Sequence, residues 1–137
     1  MSIRVAGVRF TCERENMKYM MLIYLDEKAL TEAQRNQCYK DSSQYAHELN
    51  AKGQFLATAP LHPTSTATSV RRQDGKPLVT DGPFAETREQ LGGFFIVDAK
   101  DLDEAINIAS NIPAGKWGTV EIRPILGVEG LPEPRKP

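Results

Sequence analysis

Hydrophobic positions along the chain form separate runs that differ in their periodicity. The segment Lys18–Leu25 is apolar at nearly every position and is closed by Asp26. Leu91–Val97 is likewise apolar without alternation. Such runs predict strands that are buried on both faces. Thr119–Leu126 instead alternates, which predicts a half-exposed strand, and Pro124 favours an edge position or a bulge for it.

Two segments have the spacing and the end signals of helices. Thr31 is a predicted N-cap with Gln34 as its capping-box partner, and Gly53 is the predicted stop of this first helix. Asp101, with Glu104 three residues on, begins the second helix. The second helix has a clean apolar stripe at Leu102, Ala105, Ile106, Ala109 and Ile112. The first has a less apolar face at Cys38, Ser42, Tyr45 and Leu49.

The remaining strands complete a recognisable order of elements. Gln54–Leu61 is a predicted strand, and Thr66–Arg72 with Pro77–Thr80 forms a predicted hairpin that turns at Asp74-Gly75. The order is therefore β-α-β, hairpin, β-α-β, which is an α+β, ferredoxin-like βαββαβ plan with an inserted β-hairpin. Inside the third main strand, Gly92-Gly93 indicates a bulge or the close approach of another backbone.

This plan places both helices on one face of the sheet and leaves the other face bare. Residues 19–25 and 94–97 are apolar on both sides, so the apolar residues of the bare face must be buried by another part of the protein or by a second copy. Packing against the sheet of a second copy is the economical solution, and it predicts a homodimer with a shared apolar interior. The alternative is that the hairpin or the chain ends cover Phe94 and Phe95.

Composition and charge narrow the class of protein. The chain has 137 residues, 17 Lys+Arg against 18 Asp+Glu, and 40% hydrophobic residues, which is typical of a soluble globular domain. The balanced charge argues against a nucleic-acid interface, and no apolar run approaches the roughly 20 residues of a membrane helix. Cys12 and Cys38 suggest neither a disulfide framework nor a metal site, and two unpaired thiols fit the cytoplasm.

The two ends of the chain differ from the part between them. Residues 1–16 show no strand or helix pattern, and the periodic pattern begins at Met17. Residues 127–137 are rich in proline, which predicts a mobile tail. We therefore expect one domain at 17–126, preceded by an appendage.

The segment Val79–Phe95, which contains Asp-Gly-Pro-Phe at 81–84, resembles the signature of the DGPF branch of the YCII-related proteins. The resemblance extends in order over about residues 17–126 through Lys18–Tyr24, Ala67–Arg71, Asp101–Ala105 and Val120–Pro124. It implies a dimeric α+β barrel. Members of this family are mostly uncharacterised small bacterial proteins, many of them encoded beside extracytoplasmic-function sigma factors.

In the better-studied YCII branch, a His–Asp pair lies in a pocket, with its histidine on the first helix. Counting back without gaps from the helix end places Ser42 at that position in this chain. His47 is five residues further on, which is about 140° around the helix. The resemblance therefore does not transfer the His–Asp pair to this sequence.

The candidate catalytic residues are Asp81 and His62. Asp81 lies at a strand end beside Phe84, where partial desolvation would suit a carboxyl group for acid–base work. His62, at the end of the second strand, would pair with Asp81 if the two loops converge. The alternatives are that Asp81 only accepts backbone hydrogen bonds in a turn, and that His62 is an exposed loop residue.

Tyr24, Ser42 and Phe84 are the expected substrate-binding residues of a pocket near the Asp-Gly-Pro-Phe loop. Ser42 has the alternative of bonding its own helix carbonyl, and Tyr24 that of being a core or rim residue. No nucleotide motif is present, and two separated histidines do not suggest a metal site, so no cofactor is expected. Three functions remain open: a cofactor-independent enzyme using Asp81, a ligand-binding or regulatory partner in a sigma-factor pathway, and a structural dimer module.

Overall fold

The computed structural model describes residues 16–134, so most of the expected N-terminal appendage and the last three residues lie outside it. In chain order its main elements are β1 (Met17–Leu25), α1 (Glu32–Ala51), β2 (Phe55–Pro60), β3 (Thr68–Gln73), β4 (Lys76–Asp81), β5 (Gln90–Ala99), α2 (Leu102–Ser110) and β6 (Gly118–Pro124). Short 3-10 helices occupy Glu27–Ala29, Thr64–Thr66 and Pro113–Trp117.

Four strands form one antiparallel sheet in the order β2-β5-β1-β6. Helix α1 joins β1 to β2 with β5 between them, and α2 joins β5 to β6 with β1 between them. These two interleaved β-α-β units form a ferredoxin-like α+β fold, as predicted. Strands β3 and β4 form a separate two-stranded sheet, the inserted hairpin.

The core lies between the sheet and the two helices. Met21 of β1 stands opposite Phe95 of β5, and both are fully buried. Around this pair the core also contains Tyr19, Ile23, Leu49, Val97, Ile108 and Ile112. Burying each large apolar side chain contributes about 1.5–3 kcal/mol to the free energy of unfolding. The two central strands and the apolar faces of the two helices therefore stabilise the fold together.

The opposite face of the sheet has an apolar centre of its own. Met20, Leu22 and Tyr24 of β1 alternate with the core residues, and Phe94 and Ile96 of β5 lie beside them. All are only partly buried in the single chain. We call these five residues the open sheet face.

Local sequence signals determine the helix starts. Thr31 accepts a hydrogen bond from the Gln34 amide at 3.1 Å, and the Gln34 side chain accepts one from the Thr31 amide at 2.9 Å. This is the predicted capping box. Asp101 likewise accepts from the Glu104 amide at 2.9 Å. No helix among residues 16–134 is both long and apolar enough to cross a membrane.

The hairpin turns at Asp74 and Gly75, as predicted. Both have positive φ, 51° and 76°, as the mirror-image type of two-residue turn requires. At its base the Gly82 amide donates to Ala67 O at 2.8 Å, and the Ser69 hydroxyl donates to Gly82 O at 2.7 Å. The Asp81–Phe84 segment is therefore fixed to the hairpin rather than to the four-stranded sheet.

Gly93 of β5 lies against the backbone of β2, a close approach that the paired glycines suggested. A Cβ added there would lie 2.9 Å from Ala59 O and 3.3 Å from Pro60 Cα. We predict that Gly93→Ala lowers the free energy of unfolding by about 1–3 kcal/mol, because backbone must move to accept it. Urea denaturation measures this change.

The control is Gly127→Ala, whose Cβ would meet nothing within 4 Å. We expect the control to change stability by no more than about 0.5 kcal/mol. Equal stability of the Gly93 variant and wild type would show that this close approach does not exist.

Candidate functional site

A groove runs between α1 and the β2 side of the sheet and encloses about 660 Å³. Its inner wall is mainly apolar and includes Ile23, Leu25, Phe55, Phe95 and Ala114. The volume falls within the range of about 300–1,000 Å³ that is usual for small-molecule pockets. The groove is therefore the candidate site of this chain.

The groove also has polar side chains from two directions. Helix α1 contributes Arg35, Ser42 and His47, and the segment after β2 contributes His62. The chain has two histidines in all, and both line this groove. Thr58 of β2 lines it too, but its hydroxyl already donates to Phe94 O at 2.8 Å. The site thus combines an apolar body with a few hydrogen-bonding groups.

Glu27 connects the segments at one end of the groove. Its carboxylate oxygens accept from the Thr64 amide and the Thr64 hydroxyl, each at 2.8 Å. Its amide donates to Gln90 Oε1 at 3.1 Å, and its carbonyl accepts from Arg35 Nη2 at 3.1 Å. These bonds hold the segment around His62 beside the start of α1.

Cys38 and Ser42 form the floor of the groove on the α1 side. Cys38 is 8% exposed, and this burial raises the pKa of its thiol, an effect that a hydrogen bond with Ser42 only partly offsets. The thiol is therefore protonated at neutral pH, which makes it a poor nucleophile. Ser42 is half-buried, one helical turn from Cys38.

The structure brings together two of the five residues predicted for the site. Ser42 and His62 line the same groove. Asp81 is exposed at the end of β4, opposite Thr68, and does not line it. Phe84 is 76% exposed, with the Arg71 guanidinium 5.0 Å from its ring centroid.

Tyr24, the fifth predicted residue, lies on the open sheet face, away from the groove. Desolvation, followed by the nearby Glu121 carboxylate, raises the pKa of its hydroxyl. Together with Thr87, Arg88, Glu89 and Thr119, these two residues line a second, shallower depression. Within residues 16–134, no three His, Cys, Asp or Glu side chains are grouped closely enough to hold a metal ion.

Two polar groove residues were not predicted for the site: Arg35 was not considered, and His47 was set aside because of its angle from Ser42 around the helix. Both belong to a stripe of α1 that lies beside its apolar face and consists of Arg35, Tyr39, Ser42, Ser43, Ala46, His47 and Asn50. His47 points well away from Ser42, yet the groove is wide enough to take side chains from both sides of this stripe. The signal in the sequence was the i, i+3, i+4 spacing of polar and small residues next to the core positions.

Tyr45 connects the two helices and makes the stability of the fold decrease at alkaline pH. Its hydroxyl donates to Ile108 O at 2.7 Å, and burial raises its pKa. A group with a raised pKa in the folded state stabilises the fold fully below its unfolded pKa, and this stability is lost as the pH rises through the folded pKa. Cys38 acts in the same direction.

We therefore predict that the free energy of unfolding falls from about pH 8 upward and continues to fall above about pH 10, because the thiol and phenol groups ionise more readily in the unfolded chain. Tyr45→Phe should cost about 1 kcal/mol at neutral pH and should show a smaller alkaline loss than wild type. Urea denaturation across this range measures both effects. The control is Tyr39→Phe, because this groove-lining tyrosine of α1 is 45% exposed. An alkaline loss that is the same in wild type and in Tyr45→Phe would contradict the assignment.

Comparison with known proteins identifies a family and does not assign an activity. The family model of the YCII-related domain matches residues 17–129. An uncharacterized protein from Rhizobium meliloti (strain 1021) is 35% identical over 114 residues, which cover 80% of this chain and 92% of that protein. The match spans both helices, the hairpin and all four strands of the main sheet. The chain belongs to the YCII-related family.

Proposed function

We propose that this protein binds a small molecule in the groove between α1 and β2, and that His62 and Ser42 contact the bound molecule. The observation that carries the proposal is the cavity of about 660 Å³, with an apolar wall and a few polar groups. That combination is characteristic of small-molecule sites, where apolar contacts supply affinity and polar groups fix orientation. The Val79–Phe95 segment would place the protein in the DGPF branch of its family.

Any catalysis in this groove would use its histidines. Imidazole is the side chain most often used for general acid–base chemistry, and His62 stands on a loop that Glu27 holds in place. Ser42 would orient the ligand through its hydroxyl. The geometry of one chain supports His62 rather than Asp81 in the acid–base role, because Asp81 lies on the hairpin, outside the groove.

The groove can be tested with N-phenyl-1-naphthylamine, a neutral apolar dye whose fluorescence rises when it leaves water. We expect wild-type protein to bind the dye and Ser42→Trp to bind it at least about tenfold more weakly, because the indole fills the groove. The matched control is Gln44→Trp, on the exposed side of the same helix. It should bind the dye within about twofold of wild type.

Circular dichroism would verify that both tryptophan variants are folded. Equal binding by Ser42→Trp and wild type would place the dye elsewhere and would contradict the proposed site.

We further propose that the protein is a homodimer in which the open sheet face packs against that of a second copy. The five apolar residues of this face lie at the centre of the sheet, on the side opposite the helices. Contiguous apolar surface of this kind is unusual on a monomer and is characteristic of an interface. Two-fold pairing would bring Leu22 and Phe94 of both copies together.

Ile96→Lys tests this pairing, because a buried lysine without a partner strongly disfavours an apolar interface. Light scattering coupled to size-exclusion chromatography should give twice the chain mass for wild type and the chain mass for the variant. The control is Leu102→Lys at the exposed start of α2, which should remain a dimer. A wild-type protein that is monomeric at micromolar concentration would contradict the proposal.

A further inference from the structure

We propose that the ligand of the groove is an amphipathic carboxylate, whose head group binds Arg35 and whose apolar body extends along α1. This inference rests on the proposed small-molecule site and adds the chemical class of the ligand. Its basis is the shape of the groove, its apolar wall and the position of one unpaired guanidinium at one end.

The groove is long rather than round. Its wall on α1 runs from Arg35 to Asn50, a distance of about 22 Å at 1.5 Å per residue. Strand β2 runs back along it, because the Gln54 amide donates to Leu49 O at 2.9 Å and so keeps the start of β2 at the end of α1. Such a shape fits an extended apolar chain or a narrow ring system better than a compact polar molecule.

The cationic end of the groove is well defined. Arg35 donates one hydrogen bond to the Glu27 carbonyl, and within residues 16–134 it forms no ion pair. His62 lies at the same end, because the Glu27–Thr64 bonds hold its segment there. The remaining N–H groups of Arg35 are therefore free for a ligand.

The carboxylate at this end already binds another part of the protein. Glu27 is the one carboxylate among the groove-lining residues, and both of its oxygens accept from Thr64. A ligand that offers acceptor atoms thus finds free donors on Arg35, whereas a cationic ligand would be repelled by the guanidinium and would share the Glu27 carboxylate with Thr64. A carboxylate also matches the planar fork of arginine through two parallel hydrogen bonds.

A single negative charge fits this end better than two. Arg35 is the one arginine or lysine among the lining residues, and it donates to the backbone carbonyl of Glu27, the one lining carboxylate residue. A phosphate dianion would leave part of its charge uncompensated in a half-enclosed site. The structure therefore favours a carboxylate over a phosphate ester as the head group.

The experiment compares decanoate with decanol by isothermal titration calorimetry, using wild type, Arg35→Gln and Arg72→Gln. Wild type should bind decanoate more tightly than decanol. Arg35→Gln should weaken decanoate binding by about tenfold or more and leave decanol within about twofold, because only the charged head group uses the guanidinium. Arg72→Gln, on the exposed hairpin, should match wild type for both probes.

Decyl phosphate and Arg35→Lys complete the test. Decyl phosphate should bind more weakly than decanoate, and tighter binding would overturn the choice of a carboxylate. Arg35→Lys keeps the charge but loses the planar fork, so its decanoate affinity should lie between those of wild type and Arg35→Gln. Arg35 also donates a hydrogen bond to the Glu27 carbonyl, so a substitution there can disturb the fold. Arg35→Lys and the binding of the dye therefore show whether a loss of decanoate binding comes from lost folding.

The three probes distinguish a wrong ligand class from a wrong binding site. Equal affinity for decanoate and decanol in wild type, or an equal loss of both probes in a folded Arg35→Gln variant, would overturn the carboxylate assignment while the dye still binds the groove. If neither probe nor the dye binds, the small-molecule site itself is wrong.

Discussion

The pairing of β1 with β5 is the interaction on which the rest of the structure depends. Met21 and Phe95 face each other beneath the helices, and their neighbours Leu22 and Phe94 face each other on the opposite side. Because successive residues of a strand point to opposite faces, two strands whose central residues are apolar without alternation make both faces of the sheet apolar at its centre. One face becomes the core under α1 and α2, and the other becomes the surface that we propose for dimerisation.

The groove follows from how α1 covers this sheet. Beside Tyr45, whose ring centroid lies 6.1 Å from that of Phe95, α1 presents the small side chains of Ser42 and Ala46 to the groove, so space remains there between helix and strands. A helix with large apolar residues at these positions would close that space. The hydrogen bonds of Glu27 then fix one end of the groove, since they join the start of α1 to the segment after β2. The small residues of α1 therefore create the space, and the hydrogen bonds of Glu27 position the polar groups at its end.

Sequence reasoning was most successful where structure depends on neighbouring residues. The capping box of Thr31 and Gln34 and the turn at Asp74-Gly75 involve residues within three positions of each other, and both are present as predicted. The site was harder. Ser42 and His62 were chosen and do share a groove, but Asp81 was chosen for the composition of its turn, which shows how the chain bends and not what lies beside it. Arg35 and His47 were marked only by their spacing beside the core positions of α1, which does not show what lies opposite them.

The sequence by itself determined the elements, their order and the strands that are apolar on both faces, because these follow from periodicity, capping and turn chemistry along a short stretch of chain. Only the tertiary structure decided where the groove lies and which side chains line it. Arg35, Glu27 and Thr64 come from three segments, and their contact depends on the path of the loops that join them. Periodicity specifies which way a side chain faces on its own element, whereas a site requires the positions of several elements at once.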